Sequence, residues 1–89
     1  MRQAARTDGN QAEIVSALRV VGAKVHCTHQ AGSGMPDLLV CFDGKLYLME
    51  VKTPRGRLTD EQKEFMQDFP VVVVRSITDA LRCIGVMET

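Results

Sequence analysis

The chain has 89 residues, 45% of them hydrophobic, with 11 basic and 11 acidic side chains and no formal net charge. That is room for one domain and not two, too apolar a composition for a disordered segment, and no sequence-wide positive charge of the kind that marks many polyanion binders. No apolar run approaches the roughly 20 residues that span a bilayer, and Met1-Arg2-Gln3-Ala4-Ala5-Arg6 has no apolar segment behind it, so neither a membrane span nor a secretory leader is expected.

Taken in chain order, Asp8 with Gln11 three residues later predicts a capped helix start. Ile14, Leu18 and Val21 then recur at helical spacing, and Gly22 ends the helix. Ala23 to His29 reads as a strand, and Gln30-Ala31-Gly32-Ser33-Gly34 as a flexible connector. Asp37 to Phe42 and Lys45 to Val51 are apolar runs joined by Asp43-Gly44, a strong hairpin signal. Both faces of that hairpin are mostly apolar, so helices are expected to cover both. Thr59 and Gln62 form a second capping box, with Gln62, Phe65, Met66 and Phe69 on one helical face and Pro70 as the stop. Val71 to Val74 predicts a buried strand. Ser76 caps a last helix that turns Ile77, Leu81 and Ile84 inward, with Gly85 after it. The order α-β-β-β-α-β-α describes an α/β domain with a mixed sheet.

The chemistry is concentrated in the hairpin. A two-residue turn pairs Phe42 with Lys45 and, counting back, Leu38 with Met49 and Asp37 with Glu50. Directly opposed residues share a face, with Cβ atoms about 4.5–5.5 Å apart. Two carboxylates at that range repel unless a proton or a cation lies between them. Hard oxygen ligands suit Mg²⁺ or Mn²⁺. Lys52, two residues past Glu50, projects from the same face, where an ammonium could orient a water, act as its base or offset phosphate charge. Val51 points its side chain away and leaves its carbonyl as a further ligand. Lys52, Arg55 and Arg57 crowd a Pro/Gly loop beside this site and are candidates for phosphate contacts. The following helix carries Asp60, Glu61, Glu64 and Asp68 instead.

Other features point to less. Cys27, Cys41 and Cys83 are odd in number and widely spaced, which reads as reduced thiols of a cytosolic protein. His26 and His29 fall on opposite strand faces and no Cys-x-x-Cys pair exists, so zinc is not expected. Tyr47 reads as a core residue, and so few aromatics argue against base stacking as the main binding mode.

Pro36-Asp37 with Glu50-Val51-Lys52 resembles the PD-(D/E)XK nuclease signature. The flanks Gly34-Met35-Pro36-Asp37-Leu38-Leu39, Lys52-Thr53-Pro54, Arg57-Leu58-Thr59 and Gln62 resemble its VRR-NUC branch, over nearly the whole chain. The resemblance implies a single domain over 1–89 with a minimal restriction-endonuclease-like core. It implies Mg²⁺- or Mn²⁺-dependent hydrolysis of DNA phosphodiester bonds, with Asp37, Glu50 and the Val51 carbonyl on the metal and Lys52 as water-positioner or base. It also brings Glu13 to the metal, Gln62 to the active site, and Arg75 to a phosphate-binding or structural role. Stand-alone phage and bacterial relatives suggest branched DNA, such as four-way junctions, as substrate, and the cytoplasm of a bacterium or phage-infected host as the location. A chain this small has little surface beyond one site, which favours a homodimer. Two other readings keep the fold: a DNA-binding module that no longer cuts, which the intact Asp37, Glu50 and Lys52 argue against, and a protein-interaction adaptor with an incidental acidic pair.

Overall fold

The structure, a computed structural model, describes residues 9–28 and 32–87. Its elements are α1 (Gln11–Val20), β1 (Lys24–Cys27), β2 (Leu38–Phe42), β3 (Lys45–Val51), α2 (Asp60–Asp68), β4 (Val71–Val74) and α3 (Ile77–Cys83). The sheet order is β1-β2-β3-β4. The first three strands are antiparallel neighbours, and β4 joins β3 in parallel, as a strand reached through a helix can. This is the expected α/β order and a small nuclease-like core.

The hairpin turn sets the register. Asp43 and Gly44 have φ of 52° and 78°, the paired left-handed conformations of a type I′ turn. From that turn the ladder runs from Phe42 against Lys45 to Leu38 against Met49, as the two-residue spacing requires. Every second strand residue then faces one way. Leu38, Val40, Met49, Val51 and Val74 close a core with Ile14, Val15 and Leu18 of α1 and with Ala80 and Ile84 at α3. Burying each large aliphatic side chain there contributes about 1.5–3 kcal/mol.

Several boundaries differ from expectation. α1 starts at Gln11, and its N-cap is Asn10, whose side chain makes no cap bond. It is drawn instead to two carbonyls just past β3 and β4, described below. Asp8, expected as that cap, lies outside the described residues, as do His29, Gln30 and Ala31. β4 is an edge strand with one neighbour, so Val72 is 41% exposed rather than buried.

Helices lie on both sheet faces, as expected, but the cover opposite the core is partial. Opposite the core, the nine-residue α2 is about 13 Å long against about 23 Å for the seven-residue β3. Tethered at the Glu50 end, it cannot roof the turn end. Leu46 is 67% exposed there, and Cys41 beside it is exposed. α2 itself buries no residue completely; its Phe65 and Phe69 rings stack with centroids 4.5 Å apart. Among the described residues no helix is long and apolar enough to cross a membrane.

Candidate active site at the open end of the hairpin

The ladder between β2 and β3 ends at Leu38 and Met49. One more step of the same alternation would pair Pro36 with Val51 and exchange two hydrogen bonds between them. Proline has no N–H to give, and the Pro36 carbonyl accepts from the Thr28 hydroxyl at 2.7 Å. The two strands therefore part here. The Val51 N–H donates instead to Asp37 Oδ2 at 2.8 Å, while the Asp37 carbonyl accepts from the Thr28 N–H at 2.9 Å. Within a pleated strand a residue's N–H and C=O leave on the same side, so the Val51 carbonyl also faces the gap that Asp37 borders. Pro36 opens the sheet, and Asp37 occupies the opening.

Glu50 sits between Met49 and Val51, which are 0% and 1% exposed in the core. Its side chain must therefore leave the other face, yet it is itself 3% exposed. A carboxylate that buried is costly unless it is bonded. Glu50 Oε2 accepts from Gln62 Nε2 at 2.8 Å and lies 3.8 Å from Lys52 Nζ.

Gln62 bonds to the helix cap and to the Glu50 carboxylate at once. Its Oε1 accepts from the Thr59 N–H at 2.9 Å, and its own N–H donates to Thr59 Oγ1 at 3.1 Å, completing the capping box. With the carbonyl end of the amide held by the cap, the NH₂ end is aimed at Glu50. Helix initiation and site geometry share one side chain.

The remaining site candidates fall in different places. Glu13 is exposed on α1, and among the described residues no three His, Cys, Asp or Glu side chains come together to hold a metal ion. Arg55 and Arg57 are exposed on the loop after β3. The Arg75 guanidinium turns onto backbone: its Nη1 donates to the carbonyls of Thr53 at 2.8 Å and Gly56 at 2.7 Å, with Pro54 at 3.4 Å.

Two contributors escaped the sequence reading, and a third, Gly34, was read as a connector rather than as a point of close backbone approach. Asn10 Nδ2 donates to the carbonyls of Lys52 at 3.2 Å and Arg75 at 3.0 Å, tying the start of α1 to the ends of β3 and β4. Thr28 holds the Pro36-Asp37 corner, as described. Gly34, read as part of a connector, is a close-contact residue. Its φ is 80°, and a Cβ there would overlap the Glu61 carbonyl oxygen and stand 2.6 Å from the Glu61 carbonyl carbon. The segment leading to Asp37 is pressed directly on the first turn of α2. A Gly in the pair Gly32-Gly34, immediately before Met35-Pro36-Asp37, was the available signal.

A depression of about 570 Å³ bounded by Gln11, Val15, Arg19, Val20 and Cys27 shares no residue with this constellation.

A family model for the VRR-NUC domain matches residues 3–75 of the chain. Comparisons with curated proteins and with solved structures returned no match. The matched span includes the parted hairpin, its acid pair, Lys52, Gln62 and Arg75, and ends with β4. On that extent of agreement the chain belongs to the VRR-NUC family and carries a nuclease-type domain that acts on DNA.

Proposed function

We propose that this protein is a divalent-metal-dependent DNA endonuclease that hydrolyses phosphodiester bonds. The observation that carries the reading is the parted hairpin end: Asp37 on the Val51 N–H, and buried Glu50 between Gln62 and Lys52. The donor set fits Mg²⁺ or Mn²⁺, because two carboxylates and the Val51 carbonyl are hard oxygen ligands, with water completing the coordination. Such an ion would polarise the scissile phosphate and make a bound water a better nucleophile.

The chain's own residues do the rest. Asp37 and Glu50 supply negative charge from two adjacent strands. Gln62 holds Glu50 Oε2 and leaves the carboxylate fixed in one orientation. Lys52 Nζ, 3.8 Å from that same oxygen, orients a water at the carboxylate or takes its proton as it attacks. Arg55 and Arg57, exposed on the adjoining loop, bind flanking phosphates and set the register of the strand without reading sequence.

Selectivity for branched DNA such as four-way junctions rests on the family resemblance. A homodimer is supported by the small size of the chain and by the uncovered sheet region around Leu46 and Cys41; it would join two active sites on one wider surface. The test is cleavage of end-labelled linear, flap and four-way-junction DNA with Mg²⁺, with Mn²⁺ and with chelator. Metal-dependent cutting, strongest on the junction, is expected. Binding of DNA with no cutting in either metal would favour the non-cleaving module, and neither binding nor cutting would favour the adaptor. A monomeric mass in sedimentation at micromolar concentration would remove the dimer.

A further inference from the structure

The cation at the end of β4 is engaged by the protein's own backbone. The Arg75 backbone is held on both sides of its Cα: its N–H donates to Asp79 Oδ2 at 2.9 Å and its carbonyl accepts from Asn10 Nδ2 at 3.0 Å. With its main chain so fixed, the side chain crosses to the loop after β3, and one nitrogen, Nη1, meets the carbonyls of Thr53, Pro54 and Gly56. Carbonyls converging on one point repel each other, and the guanidinium charge offsets that repulsion while the two N–H of Nη1 serve chiefly the nearer Thr53 and Gly56 carbonyls. The same loop is closed by the Gly56 N–H on the Thr53 carbonyl at 3.0 Å.

Gly56 is where this loop touches the chemistry. A methyl placed on it would lie 3.4 Å from Lys52 Cδ and 3.2 Å from Thr53 Oγ1, so Gly56 comes close to the Lys52 side chain at Cδ. The Lys52 main chain is fixed as well, its N–H on the Val74 carbonyl at 3.1 Å and its carbonyl on Asn10. What remains variable is the direction of the lysine side chain. The Gly56 wall restricts it on one side, and Glu50 attracts it on the other.

We infer that Arg75 is a positioning residue for Lys52: by gathering the Thr53–Gly56 carbonyls it builds the wall that aims the lysine at Glu50, and it does not bind phosphate. The catalytic half of this statement rests on the nuclease reading above; the structural half does not. A cation that touched DNA would add to affinity and to its salt dependence. One that acts through Lys52 changes turnover and leaves binding alone.

The experiment compares wild type with Arg75→Ala, checking folding by circular dichroism. Arg75→Gln, which keeps an NH₂ donor, replaces it if the alanine variant does not fold. The first readout is amine labelling with an acetylating reagent, followed residue by residue by mass spectrometry. Lys52 has 13% side-chain exposure, whereas Lys24, Lys45 and Lys63 are exposed and serve as internal standards. Labelling of Lys52 is expected to rise several-fold in the variant relative to those standards. The second readout is single-turnover cleavage set against DNA affinity in chelator. The rate is expected to fall roughly 10- to 100-fold, as small misplacements of a reacting group do, with Kd and its salt slope unchanged. Unchanged Lys52 labelling overturns the inference whatever the cleavage result. A weaker Kd with a salt slope shallower by about 1 identifies a phosphate contact and also overturns it. Wild-type protein that never cuts overturns the nuclease reading alone, and the labelling still decides whether Arg75 holds Lys52 in place.

Discussion

Replacing Gly34 by alanine tests the contact that joins the Asp37 segment to α2. Two costs are separable. The first is conformational: φ at Gly34 is 80°, and an L-residue in the left-handed region loses about 1–2 kcal/mol. The second is steric. The new methyl would overlap the Glu61 carbonyl oxygen, with Gln62 N 3.1 Å away. This neighbour is helix backbone and cannot rotate aside, so overpacking of about 1–3 kcal/mol is expected. The sum is about 2–5 kcal/mol. Gly44 is the control, because its φ of 78° carries the same conformational cost while nothing lies within 4 Å of a Cβ placed there. Gly44→Ala should therefore lose only the first term, about 1–2 kcal/mol. Urea denaturation monitored by circular dichroism gives both values. In a domain of this size each kcal/mol moves Tm by about 4–8 °C, so the two variants should melt at clearly different temperatures. Equal losses would refute the reasoning, since they would mean that Gly34 does not press on α2.

Other substitutions test other links. Gln62→Ala should destabilise the fold by about 1–3 kcal/mol, since it breaks the capping box and uncovers a buried carboxylate. Gln62→Glu should keep the cap, because glutamate serves equally at that position, yet lose cleavage by removing the donor to Glu50; normal cleavage by this variant would deny the Glu50 contact a role. Asp37→Asn retains an oxygen for the Val51 N–H and should fold, but its Tm should no longer rise with added Mn²⁺ as wild type's should, because ligand binding to the folded state stabilises it in proportion to RT ln(1 + [L]/Kd). A metal-induced rise of equal size in both proteins would remove Asp37 from the ligand set. Among the thiols, burial pushes Cys83 above its usual pKa, so less thiolate is present at neutral pH and alkylation should be slower than at exposed Cys41. The Cys83 rate should climb with pH beyond the range where a free small-molecule thiol has levelled off, and a Cys83 profile matching that free thiol's would contradict the assigned burial.

The hairpin was the most legible part of the sequence because its signals are local and agree with one another. A two-residue Asp-Gly turn permits one register, and period-2 alternation then sorts every side chain onto a face. Asp37, Glu50 and Lys52 could be grouped on that basis before any contact was known. The parts that were not legible depend on contacts distant in sequence. Asn10 looks like an ordinary helix cap, yet its amide binds carbonyls 42 and 65 positions away, a destination no local pattern encodes. Arg75 followed by Ser76 reads as a phosphate contact or a structural residue, and its bonds to the Thr53–Gly56 loop, 19 to 22 positions away, are encoded in no local pattern. Sheet coverage was misjudged for a different reason: apolar faces state that burial is wanted, while helix length states how much of it α2 can provide. That the two amide ends of Gln62 bond separately, one to the cap and one to Glu50, is likewise not written in its spacing.

The central claim is that the Asp37, Glu50 and Lys52 constellation cuts DNA when a divalent ion is present. The direct measurement is single-turnover cleavage of a labelled four-way junction by wild type and by Lys52→Ala, each with Mg²⁺ or Mn²⁺, at enzyme concentrations that saturate binding. Loss of a group that positions or deprotonates the attacking water should lower the rate by about 10²–10⁴-fold, with the folded state and DNA affinity retained. Equal cutting by the two proteins would contradict the account.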